Sequence, residues 1–317
     1  MGGKAQAMTQ GGAVTSRIGA ASIDDQANYV PTAYIIGYVI TVLAVTWTSI
    51  GLAAAAGISI KLYDPWHGIV FSNLTMLIPT IIAVVFNTLQ RKPVRVQLRP
   101  LTRHITAQSV IFAIAFPLVF IFGIAALCLV TGFGTLNPDA LGAAFPSMLL
   151  FISIVATVIL FPFGFGEEYG WRAYLLPALT VRHGKTRATA LVGLVWGSWH
   201  LALWTYAALA GRASPFDVGI QVGVNFAAAF ALSFPFAYCY FLSGNVLPCA
   251  LLHVLVDNFL IFVFGANHGL VLSGDFMIFQ TIGFFALIPV FIWQFKRMET
   301  PWLSNGRERP YKPAEPT

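Results

Sequence analysis

Charge is what this 317-residue sequence has least of: Asp, Glu, Lys and Arg make up 9% of it, where a soluble domain carries about a quarter. That scarcity excludes an ordinary water-facing surface. Cysteine is almost absent as well. Cys128, Cys239 and Cys249 sit in apolar runs with no paired spacing, which excludes a disulfide scaffold and a thiolate metal site and leaves them as small core residues. Residues 1–29 contain no apolar core of signal-peptide type, so a disordered polar tail is expected there. A second such tail is expected over 299–317. No internal repeat and no soluble domain can be seen between them.

What the chain has in abundance is hydrocarbon, with 57% of its residues hydrophobic. A membrane-spanning helix needs about 20 apolar residues. Eight segments of roughly that kind follow one another: 34–56, 68–89, 105–130, 146–179, 188–209, 218–242, 246–266 and 276–295. The fold expected is therefore all-α, a polytopic bundle of about eight transmembrane helices in one membrane domain, 30–298. All but two of the 18 Lys and Arg fall on one side of such a topology, the exceptions being Lys61 and Arg212. By the positive-inside rule both termini are expected in the cytoplasm. The net charge of +6 then reads as topology signals and lipid-headgroup contacts, and no nucleic-acid partner is expected.

Against this background a few polar residues stand out. Glu167, Glu168 and Asp257 lie inside apolar runs, as do His200 and His253. An acid or base at a helix centre costs about 3 kcal/mol on insertion scales, so such residues face the bundle interior and usually act there. Counted from the cytoplasmic ends of their spans, Glu167 and His200 come out about 18 Å deep and His253 about 10 Å. Three helices thus bring titratable groups into the cytoplasmic half of the bundle or near its midplane.

Each also has a plain structural reading. Glu168 and Arg172 are four residues apart and can pair along one helix. Glu167 points about 100° away from Glu168 and has no such local partner in this reading. His200 shares a helix face with Trp196 and can be a hydrogen-bonded core histidine. His253 and Asp257 share another face and can bridge helices. Pro162, Gly164 and Gly166, just before the glutamates, suggest a loosened helix lining a wet cavity.

Three motifs follow in order: GEEYGWR from Gly166, WGSWH from Trp196, and HVLVD from His253. Together they resemble the CPBP (Abi) family, which contains the type II CAAX prenyl endopeptidases and many bacterial relatives. Its pattern is EExxxR, FxxxH and HxxxN or HxxxD, matched here within 146–266. The resemblance implies a glutamate-type intramembrane endopeptidase, a hydrolase that needs no cofactor. Its partners would be the lipid bilayer and a membrane-associated protein or peptide, prenylated at its C-terminus or not, reaching a site open to the cytoplasm.

By the same resemblance Glu167 and His200 activate water, and His253 and Asp257 serve the oxyanion. Glu168, Arg172, Trp196 and Asn258 support them. Two positions depart from the family pattern. Trp196 replaces Phe, expected to alter cavity shape. Asp257 stands where many members have Asn, and an ionised carboxylate cannot donate to an oxyanion. Asp257 is then either protonated or an acceptor that orients His253.

Two other readings remain open. Glu167, His200 and His253 could ligate Zn²⁺ in a metalloprotease. The polar residues could also be interhelical glue in a non-catalytic immunity or scaffold protein.

Overall fold

The computed structural model describes residues 30–57, 71, 73–137, 145–210, 214–264, 271–272, 276–300 and 302–303. Eight long helices run through them: α1 (Thr32–Ala55), α2 (Ile78–Leu89), α3 (Ala107–Thr131), α4 (Phe145–Glu168), α5 (Leu176–Ala210), α6 (Pro215–Ser243), α7 (Leu247–Phe264) and α8 (Phe276–Arg297). Five of these, α1, α3, α6, α7 and α8, are long and apolar enough to cross a membrane on their own, and the chain is an all-α integral membrane protein. A two-residue antiparallel ladder, Thr135–Leu136 with Val271–Leu272, is a minor addition. The expected tail 1–29 lies outside the described residues.

The fourth and fifth expected spans are joined differently from the loop anticipated between 179 and 188. α4 passes at Glu168 into a π-helical stretch, Tyr169–Leu175, and that stretch passes directly into α5. Within α5 the break is a single residue, Gly184, at φ 73° and ψ 166°. That region of backbone space is essentially closed to side-chain-bearing residues, so a glycine can reverse the chain there without a loop. The remaining helix ends are more conventional. Thr106 caps α3 by accepting from the Ser109 N–H at 3.2 Å, and Ser214 caps α6 through the Asp217 N–H at 3.2 Å. Both helices stop at left-handed glycines, Gly132 and Gly244.

α5 packs along α6 and α1, α7 packs between α4 and α3, and α8 covers α6. The bundle is apolar outside. Val130, Val119 and Ile111 are 86%, 75% and 64% exposed, as befits side chains whose solvent is lipid. Its largest fully buried side chains include Trp171, Arg172, Tyr38 and Tyr240, so aromatic and polar groups fill the middle. Trp302 and Leu303, placed in the C-terminal tail by the sequence reading, pack onto the bundle, with Leu303 buried and Trp302 edge-on to Tyr240 at 5.1 Å.

The helix around Gly164 and Gly166 is regular α, not loosened; the change of pitch begins after the glutamates. These glycines serve close approach. A Cβ on Gly164 would lie 2.8 Å from Val254, one on Gly166 2.7 Å from Leu77 and the Met76 carbonyl, and one on Gly170 2.4 Å from Pro79. Small residues let helices meet at backbone distance in a membrane. We predict that Gly170→Ala, which must push against Pro79 and the Tyr38 hydroxyl, destabilises the fold by about 1–3 kcal/mol. Thermal unfolding in detergent measures this; an unchanged transition would contradict the tight contact.

Candidate active site

The two glutamates end α4, and the π turn begins directly after them. Thr80 donates to the Gly166 carbonyl at 2.5 Å, holding the chain from α2 at the point where the helix changes pitch. π turns are frequent at functional positions, where a wider turn re-aims side chains.

Glu168 is fully buried and sits at the centre of a charged network. Its Oε1 lies 3.0 Å from an Arg172 guanidinium nitrogen and 2.8 Å from His253 Nδ1. The first contact is the i,i+4 pair expected from sequence. The second joins α4 to α7 and was not expected. With a carboxylate oxygen as acceptor, His253 donates through Nδ1. Its Nε2 then faces Asp257 Oδ2 at 3.5 Å, and the Asp257 side chain is 48% exposed. Arg172 is fully buried; its guanidinium lies 4.4 Å from the Trp196 ring and 4.6 Å from the Phe236 ring. Aromatic faces stabilise a desolvated cation where further hydrogen-bond acceptors are lacking.

Glu167 is 2% exposed and holds a separate set of contacts. Its Oε2 accepts from Trp196 Nε1 at 2.8 Å and from Trp171 Nε1 at 3.4 Å. The sequence reading that Glu167 lacks a local partner is therefore corrected: Trp171, four residues on, is one. The expectation for Trp196 changes as well. Phe at that position could fill space but could not donate, so the indole alters the hydrogen bonding of Glu167 and not cavity shape alone. Trp171 was missed, although its i,i+4 spacing from Glu167 was visible in GEEYGWR.

His200, on α5, is held away from the charged network. Its Nδ1 lies 3.0 Å from the Trp196 carbonyl. A carbonyl only accepts, so Nδ1 carries the proton and Nε2 presents a lone pair. The ring is stacked on Trp204 at 4.6 Å with planes 7° apart, and Trp199 meets it edge-on at 4.6 Å. Trp199 is itself fixed by its N–H to Thr46 on α1 at 2.7 Å. Asn258 faces elsewhere, donating to Thr157 on α4 at 3.0 Å; it braces α7 against α4.

The motif residues thus converge on one buried region through α4, α5 and α7, with Trp196 between the Glu167 and Glu168 groups. Among the described residues no three His, Cys, Asp or Glu side chains are arranged to hold a metal ion. Of the three candidate ligands, Glu167 Oε2 is held by indoles, His200 Nδ1 by a carbonyl and His253 Nδ1 by Glu168.

Residues 142–259 match the family model of Rce1-like type II CAAX prenyl endopeptidases. This segment contains every motif residue above. A search of curated proteins gives no match. The match spans little more than a third of the chain and supports, over that segment, a likeness to the CAAX-type intramembrane proteases.

We predict that Arg172→Met, which leaves Glu168 buried and without its cation, destabilises the protein by about 3–5 kcal/mol. The double variant Arg172→Met, Glu168→Gln should recover part of that loss. Unfolding free energies for the two single variants and the double variant, read as a cycle, measure the coupling; additive losses would contradict the pair.

Proposed function

We propose that this chain, a membrane-embedded protease of the CAAX type, cuts prenylated C-termini with a water molecule activated by Glu167. The observation that carries this reading is the setting of Glu167. It is a buried carboxylate with both indole donors on Oε2, and Oε1 is left to accept from water. General bases act at such hydrogen-bonding distance of the proton they take.

In the proposed reaction Glu167 Oε1 takes one proton of the water as its oxygen bonds to the scissile carbonyl carbon. The carbonyl π electrons move to the oxygen, giving a tetrahedral oxyanion. Collapse of that species restores the C=O and breaks the C–N bond. The departing nitrogen takes the proton from Glu167, which returns to its starting state. One water is consumed and two chain ends are released.

His200 orients the water through the Nε2 lone pair that its contact with the Trp196 carbonyl leaves available. With a proton on each ring nitrogen, His253 donates through Nδ1 to Glu168 and through Nε2 to the developing oxyanion, where a preorganised donor in a dry site acts strongly. Asp257 is then a positioning residue, acting through His253, which accounts for an acid where a donor is common in the resembling family. Glu168 and Arg172 hold His253 in place. The reaction in this reading needs no metal, and the active site opens to the cytoplasm, the side that carries the basic loops.

Glu167→Gln keeps the shape and should lower turnover by about 10²- to 10⁴-fold while the fold persists. Mass spectrometry of membrane-proteome termini, in cells with wild type or variant at matched levels, should show new termini with wild type alone. Identical termini from two folded proteins would transfer the polar residues to a structural role. Cleavage by the purified protein should also survive a strong chelator; its loss, with rescue by Zn²⁺, would replace the water-activating carboxylate by a metal.

A further inference from the structure

On the side of α6 away from the glutamates, a groove of about 570 Å³ runs between α3 and α8. That volume falls within the range of ligand sites, about 300–1,000 Å³. α6 separates it from the candidate active site. Phe236 meets His253 with ring centroids 5.5 Å apart, whereas Tyr238 lines the groove. Two residues along a helix are about 200° apart, so the two rings leave opposite faces of α6.

α3 and α8 meet closely at Gly283, where a Cβ would lie 3.1 Å from Ile124 and from Phe120. From that contact toward the start of α3 and the end of α8, aromatic rings form the floor. Phe112, Phe116 and Phe120 stack in series at 5.2 and 5.6 Å. Tyr238 lies 4.9 Å from Phe112 and 5.6 Å from Phe291. The outer lip on α3 includes Ala115 and Gly123, both exposed. A Cβ on Gly123 would meet nothing within 4 Å. The groove is therefore open sideways, to hydrocarbon.

Its two ends differ in chemistry. The row Phe120, Phe116, Phe112 is continued four residues earlier by Gln108, which is exposed. On α8 the row Leu287, Phe291, Gln294 lines the groove and is continued three residues later by Arg297, also exposed. The Arg297 guanidinium lies over the Trp293 ring at 3.9 Å. Such stacking uses the face of the guanidinium and leaves the N–H donors in its plane directed outward. Lys296 beside it is exposed, and Glu299 acts electrostatically on Lys185 of α5. Phe112 and Ile124, at the limits of the α3 wall, are twelve residues apart, about 18 Å along a helix. That is little more than half of a hydrocarbon core about 30 Å thick. The matching occupant is hydrocarbon through one leaflet and anionic at the basic end.

We propose that the groove between α3 and α8 binds one anionic phospholipid, with an acyl chain along the row of phenylalanines and the phosphate at Arg297. Polar headgroups at this level are attracted by exposed Lys and Arg, and the aromatic floor supplies the apolar contact. The site stands independently of the hydrolytic reading, since it shares no residue with the buried glutamates and histidines.

The test uses the full chain purified in detergent and equilibrated with equal amounts of phosphatidylglycerol and phosphatidylcholine carrying identical acyl chains. Native mass spectrometry counts the lipids retained. Wild type should keep one phospholipid per chain, with phosphatidylglycerol favoured by about 3- to 10-fold. Arg297→Gln should bring that ratio toward parity without emptying the groove. Gly123→Leu, whose side chain enters open space, should lower retention of both lipids at least about fivefold by clash with the chain. Its thermal unfolding in detergent alone should not fall below that of wild type. Ala115→Leu reads the same lip at a second position.

Unchanged retention in both filled variants overturns the site. Equal retention of the two lipids by wild type overturns it as well, and so does retention of neither. A dimer that Gly123→Leu dissociates assigns the groove to a second copy of the chain and overturns the lipid. Displacement of the phospholipid by an equal concentration of a prenyl-cysteine peptide assigns the groove to substrate, and that too overturns it.

Discussion

The contact of Glu168 with Arg172 and His253 is the constraint on which the remaining architecture depends. A carboxylate and a guanidinium, both fully buried, cannot be left singly in a bundle whose exterior is hydrocarbon. Each alone would cost several kcal/mol. The helix that carries both must therefore meet α7 at His253, and aromatic rings must close over the guanidinium. Trp196 from α5 and Phe236 from α6 do so. One charged cluster thus fixes the relative positions of four helical segments.

Bringing backbones that close requires missing side chains. Gly164 faces Val254 and the Ala250 carbonyl of α7, Gly193 faces Ser233 and the Phe230 carbonyl of α6, and Gly166 and Gly170 face the chain around α2. In lipid there is little hydrophobic gain from pressing two apolar helices together, so van der Waals contact and buried hydrogen bonds must decide the pairing. The glycines supply the first and the polar cluster supplies the second. Glu167 occupies the same crevice without belonging to the charged cluster. Its donors are neutral indoles, so it is fixed in place without a salt bridge to lock it.

The membrane class and the buried polar residues that meet in the bundle were legible in the sequence because both depend on rare events. An acid in an apolar run is costly enough to be informative by itself, and Glu167, Glu168, His200 and His253 all come together as those costs imply. The all-α membrane character was legible from span length, since lipid thickness sets it; of the eight expected spans, five are helices long and apolar enough to cross on their own among the described residues. The pairing of Glu168 with His253 was not legible, because residues 85 positions apart have no common periodicity. Nor was the π stretch: its wider turn uses ordinary helix formers, and Gly164 and Gly166 drew attention one turn too early. The tryptophan donors to Glu167 were hidden by residue type, since Trp in an apolar helix reads as packing until its N–H is seen to need a partner.

Asn245 has a bearing on more than the basic loop between α2 and α3 that it fastens. Its Nδ2 holds the carbonyls of Leu101 and Arg103, while its Oδ1 accepts from the Leu247 N–H at 2.9 Å and so starts α7. A single side chain therefore spans the basic loop and the first turn of the helix that presents His253 less than two turns later. The loop and the start of that helix are thereby fastened to one another by hydrogen bonds that lie outside the reacting groups.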